Sequence, residues 1–365
     1  MKFGENMKDI FLEKKLNSMS LSEKIGQLLM IDYRCCFEMN NDLEKTLQKY
    51  TPGGFIVFKS NIENYKQTKR FLNEIKVCNN IKTMIATDQE GGRVQRLGKN
   101  VGFENYQPML EVANNKTISE IFNLGYKMGI ELKNIGIDMN MAPVLDIFSN
   151  PKNRVIANRA FGTNAYSVSQ KALSFADGLK ESGVIAVGKH FPGHGDTHVD
   201  SHIELPVINK TYEELKAYEL IPFNEAIARK IPALLIAHIS MPNIINKKIP
   251  TSLSPEMIEI ILRSKLGYTG LVIPDSLKMK ALSKYYSQEE IYLNAIKAGN
   301  DILLMPQDIK LAFETIYNAV NDGIIDENRI NQSVMKILSI KFDYQFFKDE
   351  YNTFIKNSFI RTRKK

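Results

Sequence analysis

Four of the chain's five histidines, His190, His194, His198 and His202, fall in one stretch, KHFPGHGDTHVDSH, at a strict four-residue spacing. On a helix that spacing would stack the rings on one face, as a metal site requires. This stretch cannot be a long helix. Pro192 fixes φ and lacks an N–H, and Gly193 and Gly195 are costly in a helix interior. The HExxH pattern of zinc proteases is missing too, so no metal is expected, although a loop could still gather ligands. The more useful piece is Asp200-Ser201-His202. In an extended segment, residues two apart point to the same side. Asp200 could then hold one ring nitrogen of His202 and leave the other for proton transfer. A carboxylate fixes the tautomer and raises the imidazole pKa. Such a histidine is a general acid/base near neutral pH. Spacing alone permits a purely structural Asp–His pair equally well.

The elements that must position these residues follow a strand-then-helix beat. Short apolar runs lie at 28–31, 54–58, 83–87, 137–143, 184–188, 233–238, 271–274 and 301–306. They show little alternation, as strands buried on both faces should. Helical patterning fills the gaps, for example at 65–76, 117–135, 167–182, 211–229 and 254–266, often preceded by Asn, Ser or Thr as a cap. Eight such units predict an α/β fold, a single (β/α)8 barrel. An open doubly wound sheet is the rival, but no GxGxxG or P-loop follows any strand. The first 20 residues read as a leading helix and 310–358 as closing helices. One domain is expected over residues 1–365, with its core at about 20–340 and a frayed basic tail. A barrel puts its chemistry where the strands end. Asp32, Lys59, Asp88, Asp146, Lys189 with His190, His238 and Asp275 all fall just past a run.

Composition narrows the partners. At 44% hydrophobic and 24% charged, the chain suits a large globular core. The net charge of +7 is dispersed, and the tight basic run at Arg361, Arg363, Lys364 and Lys365 is terminal, so no nucleic acid is expected. No stretch approaches the length of a membrane span. Three cysteines form no disulfide framework, and the first residues are charged where a secretory signal needs an apolar run. These features predict a cytoplasmic protein.

Taken together, the motifs resemble glycoside hydrolase family 3 in its bacterial β-N-acetylglucosaminidase branch. KHFPGHGDTHVDSH is joined, in order, by PGGFIVF (52–58), ATDQEGGRVQRL (86–97), MNMAPVLDI (139–147), NRAFGTN (158–164), IPALLIAHISMP (231–242), PTSLSP (250–255), GYTGLVIPDSLKMKAL (267–282) and AGNDILLMP (298–306). The resemblance runs from about residue 20 to 340.

The resemblance implies roles for particular residues. Asp275 matches the catalytic nucleophile, and His202 with Asp200 the acid/base dyad. Asp88 and Arg96 match residues that hold the sugar's hydroxyls and the loop around them. Arg159, Lys189 and His190 match residues contacting the 3- and 4-hydroxyls and the N-acetyl region. The implied reaction is retaining hydrolysis of a terminal β-linked N-acetylglucosamine, on peptidoglycan fragments, by a monomer without a cofactor. A phosphorylase acting on the same sugar and a silent sugar-binding protein are the alternatives. Pro274 departs from the pattern, which commonly has Ser or Thr before the nucleophile, and Ser276 stands where Asp or Ala is more usual. Read from the residues alone, Asp88 could instead be a structural partner of Arg93 or Arg96. His190 could be a packed histidine, and His238 either a substrate-lining or a structural one. His194 and His198 carry no assigned role.

Overall fold

The computed structural model describes residues 3–197, 205–245 and 247–362. Eight parallel strands form a nearly closed barrel ringed by helices, the (β/α)8 architecture the sequence predicts. In chain order the strands are β1 (Leu29–Ile31), β2 (Gly54–Val57), β3 (Met84–Thr87), β4 (Gln89–Gly91), β5 (Val94–Gln95), β6 (Met139–Asn140), β7 (Ile185–Phe191), β8 (Ala233–Ile236), β9 (Leu271–Pro274) and β10 (Leu303–Leu304). Round the barrel the order is β10-β1-β2-β3-β6-β7-β8-β9, while β4 and β5 make a separate antiparallel hairpin just beyond β3. Every residue of the eight barrel strands is buried, which explains their unbroken apolar character.

The helices follow from local sequence. Ile118–Ile135 begins with a capping box: Thr117 accepts from the Glu120 amide, and Glu120 reaches back to the Thr117 amide at 2.8 Å. Gly136 ends it in the left-handed region. This helix packs closely on Ala165–Glu181 because Gly125 and Gly178 let the backbones touch. A Cβ at Gly125 would lie 2.3 Å from the Phe175 carbonyl oxygen, so even alanine would separate the pair.

Four expectations change in detail. The helix expected at 211–229 is two, Tyr212–Ala217 and Ile221–Ala228, with Pro222 in the first turn of the second, where its missing N–H costs nothing. Residues Glu256–Lys265 wind as a π-helix. The strand expected at 184–188 runs on to Phe191, so Lys189 and His190 are strand residues rather than loop residues. The last helix, Lys348–Thr362, continues into the basic run read as a tail.

Two buried aspartates staple the base of the barrel. Asp138, just before β6, donates its amide to the Ile85 carbonyl and accepts from the Ile85 amide. Asp301, before β10, does the same with Val272 of β9: amide to carbonyl at 2.8 Å, carboxylate from amide at 2.9 Å. The second staple lies at the β9–β10 seam, where the strand ladder is open.

Candidate active site

The opposite end of the barrel, where the strands finish, holds a cavity of about 550 Å³. Its floor is a charge network. Lys189 of β7 lies between Asp88 (3.0 Å) and Glu90 (2.5 Å). Arg96, from the β5 hairpin, meets the other Asp88 oxygen at 2.9 Å. Arg159 grips Glu90 with two parallel bonds of 2.8 and 2.7 Å. Burial alone would raise both acids, but the cations outweigh it. Lys189 and Arg96 hold Asp88 well below the usual carboxylate range, and Arg159 and Lys189 hold Glu90 at about 2. The hairpin is fixed by Gln89, whose side chain accepts from the Arg96 and Leu97 amides, and by Gly91 and Gly92, both at positive φ. A Cβ at Gly91 would also strike the Gln107 carbonyl oxygen at 2.6 Å.

A second group stands beside the floor. Asp146 is fully buried and sits 2.6 Å from His190 Nδ1. A carboxylate only accepts, so Nδ1 carries a proton, and Nε2 lies 3.4 Å from the Arg159 guanidinium. The other Asp146 oxygen accepts from the His194 amide at 2.6 Å. Burial, reinforced by His190, pushes His194 down to about 4, so it is neutral at pH 7. Thr197 Oγ1 lies 2.7 Å from its Nδ1, and Asn153 donates to its carbonyl at 2.7 Å. Gly195 approaches Ile147 so closely that a Cβ would fall 1.7 Å from the carbonyl oxygen. The first part of the glycine-rich loop, 191–197, is thus clamped, and its glycines serve close approach.

Asp275 follows β9 and lines the same cavity. Its amide donates to the Ile236 carbonyl at 2.8 Å, and Oδ1 accepts from the Ser276 amide at 2.7 Å. Burial would raise its pKa, but the fields of His238 and His190, that amide and Lys189 lower it, which keeps the carboxylate ionised. His238 is fully buried. Its Nε2 donates to the Ser276 carbonyl at 3.0 Å, and its Nδ1 lies 2.7 Å from Ser252 Oγ. His238 thereby braces the turn that carries Asp275. Pro274 is accommodated for a geometric reason. The amides of Leu271 and Asp275 face β8, whereas that of Val272 faces Asp301. Position 274 shares the register of 272, so its missing N–H faces the open seam rather than the β8 ladder.

The rim is a third network. Asp32 is buried after β1 and accepts from Lys278 (2.6 Å) and Arg34 (3.1 Å). The Arg34 guanidinium stacks on Phe58 at 3.6 Å.

Of the residues singled out in the sequence, Asp275, Asp88, Arg96, Arg159, Lys189 and His190 all border this one cavity. Asp200, His202 and His198 lie outside the described residues. Lys59 does not reach the cavity; it borders a neighbouring depression with Arg96. Glu90, Arg34 and Lys278 are additions. Glu90 was in view within DQEGG, but nothing in its spacing announces an ion pair with a residue 69 positions away. Among the described residues, no group of three or more His, Cys, Asp or Glu is arranged to hold a metal, and no helix is long and apolar enough to cross a membrane.

The chain is similar to known proteins over most of its length. The family described as "Glycosyl hydrolase family 3 N terminal domain" matches residues 20–340. A beta-hexosaminidase of Tolumonas auensis is 36% identical over 279 residues, covering 76% of this chain and 81% of that protein. Beta-hexosaminidase A of Pseudoalteromonas piscicida is 31% identical over 353 residues, covering 86% of this chain. The solved structure of a glycoside hydrolase family 3 beta-N-acetylglucosaminidase from Paenibacillus superposes with a TM-score of 0.86 at 36% identity, over 90% of this chain. The chain spans 59% of the Pseudoalteromonas protein and 63% of the Paenibacillus one.

Proposed function

This chain belongs to glycosyl hydrolase family 3, and we propose that it is a retaining exo-β-N-acetylglucosaminidase. One observation carries the reading above the others: an ionised carboxylate, Asp275, shares a cavity of about 550 Å³ with the Asp88–Lys189–Arg96 network. That volume suits a sugar. The network sets donors and acceptors side by side, which is what vicinal hydroxyls need.

In the proposed reaction, a terminal N-acetylglucosamine enters with its hydroxyls on Asp88, Arg96 and Lys189. Arg159 and His190 complete the wall toward the N-acetyl group. Asp275 attacks C1, and the bond to the leaving oxygen breaks. His202, steadied by Asp200, protonates that oxygen, so a neutral alcohol departs from a glycosyl-enzyme. The same histidine then takes a proton from water, which attacks C1 and frees Asp275. A histidine serves both steps because its two protonation states are accessible near neutral pH. We place the enzyme in the cytoplasm, as a monomer, acting on peptidoglycan fragments.

The test is hydrolysis of 4-nitrophenyl N-acetyl-β-glucosaminide beside the matching β-glucoside, with and without phosphate. Cleavage of the N-acetyl substrate alone, with free sugar as the product, supports the proposal. Sugar-1-phosphate as the main product would replace hydrolysis by phosphorolysis. No cleavage of either compound would leave a sugar-binding protein.

A further inference from the structure

Lys59 falls just past β2, at the end of the barrel where chemistry sits, yet the proposed reaction gives it no part. It opens instead on a depression of about 520 Å³ beside the β4–β5 hairpin. Lys59, Arg96 and Lys99 line this depression, and no aspartate or glutamate does. Both lysines are exposed, and neither enters an ion pair among the described residues. The other charge networks at this end of the barrel are each built round a carboxylate: Asp88, Asp146 or Asp32. Here the cations stand together without one.

The space is kept open by the local sequence. Gln95 holds one wall, with its Nε2 donating to the Glu104 carbonyl at 2.8 Å and its Oε1 accepting from the Tyr106 amide at 3.0 Å. The side-chain amides of Asn100 and Asn105 stand close to Gly98. A Cβ there would lie 3.3 Å from Asn105 Oδ1 and 3.6 Å from Asn100 Oδ1, so a side chain at position 98 would fill the room beside both amides. Arg96 borders this depression and the catalytic cavity alike. One of its terminal nitrogens donates to Asp88 at 2.9 Å, while its Nε is buried and has no hydrogen-bond partner among the described residues. A buried N–H on a cation without an acceptor is uncommon and costly, and an anion beside it would relieve that cost.

We propose that this depression is a second binding site, for a phosphate dianion, free or carried on a small sugar, held by Lys59, Lys99 and Arg96 and coupled to the catalytic cavity through Arg96. A phosphate carries close to two charges and turns acceptor oxygens in several directions, which matches three cations with no acid among them. A carboxylate has one charge and two oxygens in a single plane. The amides of Asn100 and Asn105 suit the hydroxyls of an attached sugar. Coupling follows from the shared guanidinium. An anion beside Arg96 draws on the same group that holds Asp88, and so loosens the grip on the substrate's hydroxyls. The coupling rests on the glycosidase reading; the binding does not.

The site is tested by calorimetric titration of the full chain with inorganic phosphate and, separately, glucose 6-phosphate, at about pH 8 and an ionic strength of about 0.05 M. One equivalent is expected to bind, with Kd on the order of 1 mM or below. Lys59→Gln with Lys99→Gln is expected to weaken it about tenfold with an unchanged melting curve, and Lys278→Gln, on the rim of the catalytic cavity, to leave it unmoved. Undiminished binding by the double variant, or loss with Lys278→Gln instead, overturns the proposal. Equal affinity for the two probes assigns the site to free phosphate, and an ester at least about tenfold tighter assigns it to a sugar phosphate.

Coupling is read in hydrolysis of 4-nitrophenyl N-acetyl-β-glucosaminide. Glucose 6-phosphate is expected to raise KM to a plateau about fivefold above its starting value, with kcat unchanged, and to do nothing in the double variant. A KM that climbs without limit shows competition inside the catalytic cavity and overturns the second site, and an unmoved KM overturns the coupling. If the wild type cleaves nothing, the glycosidase reading fails on its own. Coupling is then read from the titrated affinity for N-acetylglucosamine with and without glucose 6-phosphate. A weakening that levels off sustains it, and an unchanged affinity refutes it.

Discussion

The two ends of this barrel use the same ingredients to opposite purposes. At the base, Asp301 has no solvent exposure and is surrounded by Arg263 (2.7 Å), Lys336 (3.0 Å) and the Ser333 hydroxyl (2.8 Å), with Arg329 at 4.0 Å. Its other oxygen also accepts from the Val272 amide, so its hydrogen-bonding capacity is spent on closing the β9–β10 seam. At the mouth, Asp88 is likewise held by two cations, yet its side chain keeps 18% exposure and borders an open cavity. A buried acid ringed by cations is therefore not a functional signal by itself. What distinguishes the mouth is unfilled space next to the charges, where a ligand can complete bonds that the protein leaves open.

That contrast can be broken by substitution. The largest effect is expected at Asp275. Asp275→Ala should lower kcat on a cleavable N-acetylglucosaminide by a factor on the order of 10⁴ or more while the protein still folds, as steady-state rates and a melting curve will tell. Asp88→Asn should lower kcat/KM on the order of a hundredfold and destabilise the fold by only about 1 kcal/mol, since Lys189 retains Glu90. Asp301→Asn should do the reverse. Removing the charge leaves three partly buried cations crowded without their counter-charge and should cost about 3 kcal/mol in urea unfolding, with kcat/KM of the folded enzyme nearly unchanged. If Asp301→Asn lost activity while stable, or Asp88→Asn unfolded the chain, the division between the two ends would fail.

Two smaller effects refine the picture, one at the base and one at the mouth. Lys341 is fully buried there, bonded to Gln27 Oε1 (2.7 Å) and the Lys82 carbonyl (2.8 Å), and burial pushes it down to about 7. Its unfolded value is near 10.4. The unfolded chain therefore binds more protons between those values, and stability should rise with pH from about 7 to about 10. Lys341→Met should remove that rise, as unfolding at a series of pH values would show. Pro274→Thr should change stability by less than about 1 kcal/mol, because the amide it restores faces the open seam.

The sequence revealed the barrel because each strand is buried on both faces and so reads as an unbroken apolar run. It also revealed Asp275, Asp88 and Lys189, since charged residues directly after such runs must fall at the mouth. Its limits have physical causes. Asp138 and Asp301 looked like strand edges in IDMNMAP and DILLMP, and nothing local shows that each closes a seam with a distant amide. Lys189 and His190 looked like loop residues because a charge ordinarily ends an apolar run, but here β7 continues and carries them into the cavity. The break at 218–220 was hidden by apolar spacing that both short helices share. The rim escaped notice because Asp32 and Lys278 are 246 positions apart and meet only when the barrel closes.

The central claim is that Asp275 becomes covalently bound to the sugar. The most direct test is to trap that species with a slow substrate, a 5-fluoro N-acetylglucosaminyl fluoride, and locate the adduct by peptide mass spectrometry. The account predicts one sugar per chain, on the peptide containing Asp275, and none in Asp275→Ala. An adduct on another residue, or full turnover of the substrate by Asp275→Ala, would contradict it.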